Sequence, residues 1–193
     1  MAASDETLDP RRALIVVSGT QGAGKTTVAA ALARHFARGA HVEADVLHKL
    51  IVSGREWPAT PEDMNPEFFA QLRLRLRNLC LLGRSFYEAG FTAVIDDIVT
   101  GDRVGHLLED LAGMRFYFVM LTPSLAAVKQ REIGRGTRLY EHWGLLDEDI
   151  RSRTPRIGLW LDTSELSAVE TVDEIMRRIW TEGAVEAPAS GER

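Results

Sequence analysis

The chain has 193 residues, 45% hydrophobic and 26% charged, with a formal net charge of -5. These values suit one soluble globular domain with a real core, and they exclude a nucleic-acid binder held mainly by phosphate contacts, which needs a basic excess. A single cysteine, Cys80, excludes an internal disulfide, and no apolar run suits a signal peptide or a bilayer span, which predicts a cytoplasmic protein with no membrane partner.

Residues 1–11 and 183–193 are small and polar and are expected to be disordered tails around one domain at residues 12–182. Ala13 to Ser18 (ALIVVS) reads as a buried parallel strand. Lys25 to Arg38 reads as a helix, with Val28, Leu32 and Phe36 four apart and Gly39 as its stop. His41 to Ala44 is a second strand, and Asp45 to Val52 starts another helix. Gly54 to Pro66 holds three prolines and is a loop. Asn65 and Pro66 then supply an N-cap and a first helical proline. They open a long helix with Phe69, Leu72, Leu76, Leu79 and Phe86 on one face, ending at Gly90.

Phe91 to Ile95 (FTAVI) is the third predicted strand, followed by Asp96 and Asp97, and Phe116 to Leu121 is the fourth. Thr122 and Pro123 cap a helix running to about Ile133. Arg156 to Leu161 is a fifth strand, and Thr171 to Trp180 an amphipathic closing helix. Strand and helix alternate throughout, which predicts an α/β fold: a five-stranded parallel sheet flanked by helices in three layers.

The most specific segment is Gly19-Thr20-Gln21-Gly22-Ala23-Gly24-Lys25-Thr26, which fits G-x-x-x-x-G-K-[ST] between a predicted strand and a predicted helix. Glycines let successive backbone N–H groups converge on a phosphate, and the helix start adds its own unsatisfied N–H groups and dipole. Lys25 can reach the β- and γ-phosphates, the Thr26 hydroxyl can ligand Mg²⁺, and Thr27 continues the cradle. This predicts the P-loop NTPase fold and binding of a nucleoside triphosphate with Mg²⁺. No N-K-x-D sequence of the kind that selects guanine is present, so ATP is the expected nucleotide.

Three further features fit phosphoryl transfer to an acceptor. Asp45 follows the second strand, at the sheet edge where ligands sit, and can take a proton from an acceptor hydroxyl as general base; it can equally cap the helix it opens. Asp96 and Asp97 end the third strand. One is expected to support the metal, with Asp96 preferred, and the other to face the acceptor. A helix terminus and glycine-broken turn, Lys129 to Arg138, carries Arg131, Arg135 and Arg138 and reads as a mobile lid at about residues 131–145 that brings guanidinium groups to phosphate. Arg73, Arg77 and Arg84 line one face of the long helix, either as an anion-holding stripe or as a solvated face.

In their order, the P-loop, Asp45, Ile95-Asp96-Asp97, Arg131-Glu132 and Arg135-Gly136-Thr137-Arg138 resemble the chloramphenicol phosphotransferase-like branch of P-loop kinases, near zeta toxins and gluconate kinases. The resemblance covers most of residues 13–180. It implies a nucleoside-monophosphate-kinase-like core, Asp45 as general base, and lid arginines that bind phosphate. It also implies that Pro155 to Ser164 borders the adenine. The function expected is ATP-dependent transfer of the γ-phosphoryl group to a hydroxyl of an antibiotic, sugar or other metabolite, by a monomer or homodimer. The alternative is an NTPase or nucleotide-gated binding protein with no small-molecule acceptor.

Overall fold

A computed structural model describes residues 12–135, 147 and 152–189. The chain runs β1 (Leu14–Gly19), α1 (Lys25–Arg34), β2 (Gly39–Glu43), α2 (Ala44–Lys49), α3 (Pro66–Glu88), β3 (Thr92–Asp96), α4 (Arg103–Asp110), β4 (Arg115–Leu121), α5 (Leu125–Arg135), β5 (Leu159–Leu161), α6 (Ala168–Glu182) and β6 (Ala184–Glu186). Five strands are parallel in the order β2-β3-β1-β4-β5, and β6 pairs antiparallel with the first half of β4.

The apolar strands are buried on both faces, and the pleat sorts their side chains by parity. Ile15, Val17 and Val94 join the core under α1 and α6, whereas Leu14, Val16 and Ile95 join the core under α3 and α4. The result is a three-layer fold of the expected class. The direction of chain growth across the sheet reverses at β1, and the crevice beyond the strand ends at such a reversal is where ligands of open α/β sheets bind.

Several boundaries differ from the sequence expectation. The first helix stops at Arg34, and Gly39 opens β2 instead of ending α1. A Cβ at Gly39 would lie 1.8 Å from the Ala33 carbonyl oxygen, so the glycine is needed where the chain doubles back against the helix. Helix α4 is an element that the sequence reading did not include. The fifth strand is shorter than Arg156 to Leu161, and α6 starts earlier, at a capping box between Ser167 and Glu170.

Nor does the domain end at 182 with a disordered tail from Gly183. Beyond Gly183, β6 adds to the sheet and Ala187 is buried, with Ala187 N donating to Met114 O at 3.0 Å. Only three residues long, this strand shows no period in the sequence, and its contribution is backbone pairing. Residues 1–11 and 190–193, and the lid region beyond Arg135, lie outside the described residues, as does the side chain of Arg135.

Candidate active site

β1 delivers Gly19 into a turn that closes with Ala23 N donating to Thr20 O at 3.2 Å. Gly22 has φ 74°, and a Cβ there would meet Val128 of α5 at 2.7 Å and Glu132 at 3.2 Å, so both conformation and space demand glycine. Gly24 is the N-cap of α1, with φ 93° and no side chain capping the helix. The first-turn N–H groups of α1 are thus left without a side-chain acceptor, as a phosphate cradle requires. Thr20, Gln21, Gly22, Gly24 and Lys25 are partly exposed along this turn, Ala23 is buried beneath it, and Thr26 and Thr27 are exposed at its mouth.

Lys25 Nζ donates to Thr20 O at 2.8 Å. Burial of the amine lowers its pKa to about 8, overriding the upward pull of Asp96, Asp97 and Asp45. A phosphate entering the turn would restore the opposing charge.

The two carboxylates at the end of β3 part company. Asp96 falls on the α1 face, with Val94, and its Oδ2 accepts from Thr26 Oγ1 at 2.9 Å. Its Oδ1 lies 2.6 Å from His41 Nε2. Asp97 falls on the α3–α4 face, where Arg75 reaches Oδ1 at 2.5 Å and Arg103 reaches Oδ2 at 2.7 Å. The Ile98 N–H adds a bond to Oδ1 at 2.7 Å. Burial pushes the Asp97 carboxyl up, but the Arg103 and Arg75 guanidinium groups and the Ile98 N–H outweigh it and hold it below the usual carboxylate range. An acceptor-facing Asp97 was expected; the carboxylate is instead enclosed by two arginines and is an anchor for them.

Thr26 Oγ1 and Asp96 Oδ2 are hard oxygen donors close together beside the phosphate cradle. Such a pair fits Mg²⁺, which takes few protein ligands and completes its shell with phosphate and water oxygens. Among the described residues no group of three or more His, Cys, Asp or Glu could hold a metal ion alone; an ion that travels with a triphosphate does not need one.

Asp45 sits in the first turn of α2, 53% exposed, with its carboxylate 3.6 Å from Arg75 Nη1. Arg75 itself is 9% exposed and joins Asp45 to Asp97. Sequence reasoning missed Arg75. It singled out Arg73, Arg77 and Arg84, of which Arg73 is tied to Asp110, with Nη2 to Oδ1 at 2.8 Å, and Arg84 donates to Ala112 O at 3.2 Å. Those two arginines fasten α4 and the turn after it to α3, so the anion-holding reading does not apply to them. Arg77 is exposed.

Beside Asp45, the loop before α3 is clasped by two buried polar side chains. His48 Nε2 lies 2.8 Å from Glu56 O, with its ring 5.1 Å from that of Trp57. Gln71 accepts from Glu56 N at 2.9 Å and donates to Gly54 O at 2.7 Å.

On the opposite side, Arg131 of α5 donates to Ala23 O at 3.3 Å and to the carbonyls of Thr163 and Leu166. It thereby bonds the underside of the phosphate turn to the chain after β5, where Asp162 Oδ1 accepts from Ser164 N at 2.9 Å. Arg131, expected to bind the nucleotide phosphates, donates here to these three backbone carbonyls. The side chain of Arg135, and the whole of Arg138, lie outside the described residues. No helix among the described residues is long and apolar enough to cross a membrane.

A glycine turn, a threonine–aspartate pair and a half-exposed carboxylate lie at the carboxyl ends of β1, β3 and β2 and make up the candidate P-loop site. Residues 12–179 match the family model of chloramphenicol phosphotransferase-like proteins, and the chain belongs to that family. No curated protein matches it in sequence.

Solved structures with the same fold include the tunicamycin resistance protein of Deinococcus radiodurans, with TM-score 0.61 and 19% identity over 88% of this chain and 96% of that one. A sugar kinase from Janibacter sp. HTCC2649 has TM-score 0.60 and 20% identity, over 86% and 93% of the two chains. Shikimate kinase from Acinetobacter baumannii, in complex with shikimate, has TM-score 0.58 and 18% identity, over 89% and 94%. Family and fold together support a P-loop phosphotransferase acting on a small molecule.

Proposed function

We propose that the protein is an ATP-dependent kinase that transfers the γ-phosphoryl group to a hydroxyl of a small molecule, with Asp45 as general base. The observation that carries this reading is the convergence of three groups at the carboxyl ends of β1, β2 and β3. These are the phosphate turn, the Thr26–Asp96 pair at 2.9 Å and the half-exposed Asp45 carboxylate. A switch protein would need no basic carboxylate beside an open face.

In this reading the turn from Gly19 to Thr27 holds the triphosphate, and Lys25 contacts the β- and γ-phosphates. Thr26 and Asp96 support Mg²⁺, which when bound neutralises charge on the β- and γ-phosphate oxygens. Asp45 accepts the acceptor's hydroxyl proton while the acceptor oxygen bonds to the γ-phosphorus and the bond to the β–γ bridging oxygen breaks. Arg135 and Arg138 are proposed to reach the transferring group from the lid. The acceptor site lies between α2, the loop clasped by His48 and Gln71, and α3. The protein is proposed to work in the cytoplasm as a monomer or homodimer.

The test is a screen for acceptor-dependent ADP release across hydroxylated antibiotics, sugars and metabolites, followed by Asp45→Asn on whichever acceptor responds. Removal of a general base typically costs roughly 10²–10⁴-fold in turnover, and ATP affinity should stay near that of the natural protein. Loss of ATP binding in that variant would count against the role given to Asp45. Steady ATP hydrolysis that no acceptor stimulates would favour an NTPase instead.

A further inference from the structure

We infer that His41 is a positioning residue for the magnesium-supporting carboxylate of Asp96, a role that rests on the proposed reading of the Thr26–Asp96 pair. The placement follows from strand register. β2 and β3 are parallel, with His41 opposite Val94 and Glu43 opposite Asp96. His41 is thus diagonal to Asp96 on the same face, a separation that a long or ring side chain can bridge. The imidazole does bridge it, with Nε2 at 2.6 Å from Oδ1.

Asp96 is then held at both oxygens, by Thr26 at Oδ2 and by His41 at Oδ1, and only 4% of its side chain is exposed. With the Thr26 bond alone, the carboxylate could rotate about its χ2 axis toward the ammonium of Lys25, whose charge acts on the same side of the site. A ring N–H fixed by the strand removes that freedom and keeps Oδ2 aimed at the Thr26 hydroxyl. The neutral imidazole suffices, because only its Nε2–H is used. Partners that orient a metal-supporting group in this way commonly change metal affinity when removed, while the group itself stays in place. A purely structural role would not require a histidine here: His41 lies on the outermost strand and keeps 18% of its side chain exposed.

The experiment measures ATP binding by calorimetry without metal, then Mg²⁺ half-saturation at fixed ATP, for the natural protein, His41→Leu and His41→Gln. Leucine removes the donor; the glutamine amide nitrogen falls close to the place of Nε2. The expected result is a Mg²⁺ half-saturation raised about 10-fold or more in the leucine variant. Its metal-free ATP affinity should be unchanged, its melting temperature should fall only by the loss of the single bond to Asp96, and glutamine should restore the natural Mg²⁺ half-saturation. Equal Mg²⁺ half-saturation in all three proteins overturns the inference, as does a leucine variant that loses metal-free and metal-dependent affinity alike. Should the leucine variant fail to fold, His41→Asn, whose amide is too short to reach Oδ1, carries the same comparison. If the natural protein shows no Mg²⁺-dependent ATP binding at all, the nucleotide reading itself falls and this inference with it.

Discussion

Burial holds the Lys25 amine near pKa 8, below its ordinary 10.5, so a triphosphate arriving at pH 8 meets a group that is only partly charged. Anionic oxygens raise that pKa again, and binding must therefore take up protons in this range. Below about pH 7 the amine is already charged and uptake should vanish; as pH rises through 8, ATP affinity should fall. Calorimetry in buffers of differing ionisation enthalpy measures this directly, and binding with no proton uptake at pH 8 would contradict it. Residues such as Lys25 and Thr26 were legible in the sequence because their geometry is local to eight consecutive positions. Asp96 and Asp97 were legible as a pair, and the period of two along the strand already separates their faces. Arg75 and His41 were not legible: their contacts span 22 and 55 positions and depend on which helix crosses β3 and which strand pairs with it.

At the scale of elements, the loop ahead of α3 owes its shape to Gln71, buried at 6% exposure in the helix and bonded to both Gly54 and Glu56. Gln71→Leu leaves a carbonyl and an N–H without partners, at a cost of about 1–3 kcal/mol for each group that stays buried. The expected outcome is faster hydrogen exchange at the Glu56 amide and weaker acceptor turnover, with ATP affinity intact; unchanged exchange at Glu56 would refute the clasp.

This glutamine was invisible to a reading that sought an apolar stripe. That reading put Phe69 and Phe86 on one apolar face with Leu76 and Leu79, yet they are 54% and 38% exposed. Leu76, Leu79, Cys80 and Gly83 make the actual contact face. Helical period alone fixes which residues share a side; the twist of the sheet beneath decides which side is covered.

For the whole molecule, the outer flank of β4 is shared. β5 pairs with its second half and β6 with its first, while Phe118 N donates to Gly183 O at 2.8 Å. Ending the chain at Glu182 would remove the bonds of Gly183 and β6 to β4 and uncover Phe116. With net hydrogen-bond worth of about 1 kcal/mol each, the loss should reach at least about 2 kcal/mol, or roughly 4–8 °C in melting temperature for a chain of this size. Cys80 offers a second readout. Burial pushes its thiol up to about 12, so it should resist thiol reagents at pH 8 until the core opens. The truncated chain should therefore react faster than the full one. A truncation that leaves both melting temperature and thiol reactivity unchanged would show that β6 contributes nothing to stability.

The alternation at the end of β3 has a further consequence for tolerance to change. One strand terminus serves two sides of the molecule, giving its last carboxylate to α1 and the one that follows to α3. A single residue inserted or deleted between Thr92 and Asp96 would move every following side chain to the opposite face. After a deletion the arginine pair would meet Ile98 and the Thr26 hydroxyl would face Asp97; after an insertion the arginines would meet Asp96 and the Thr26 hydroxyl would face the apolar Ile95. Loops around the crevice can lengthen with little penalty, but this short stretch is frame-locked, and insertion scanning should find no functional variant within it.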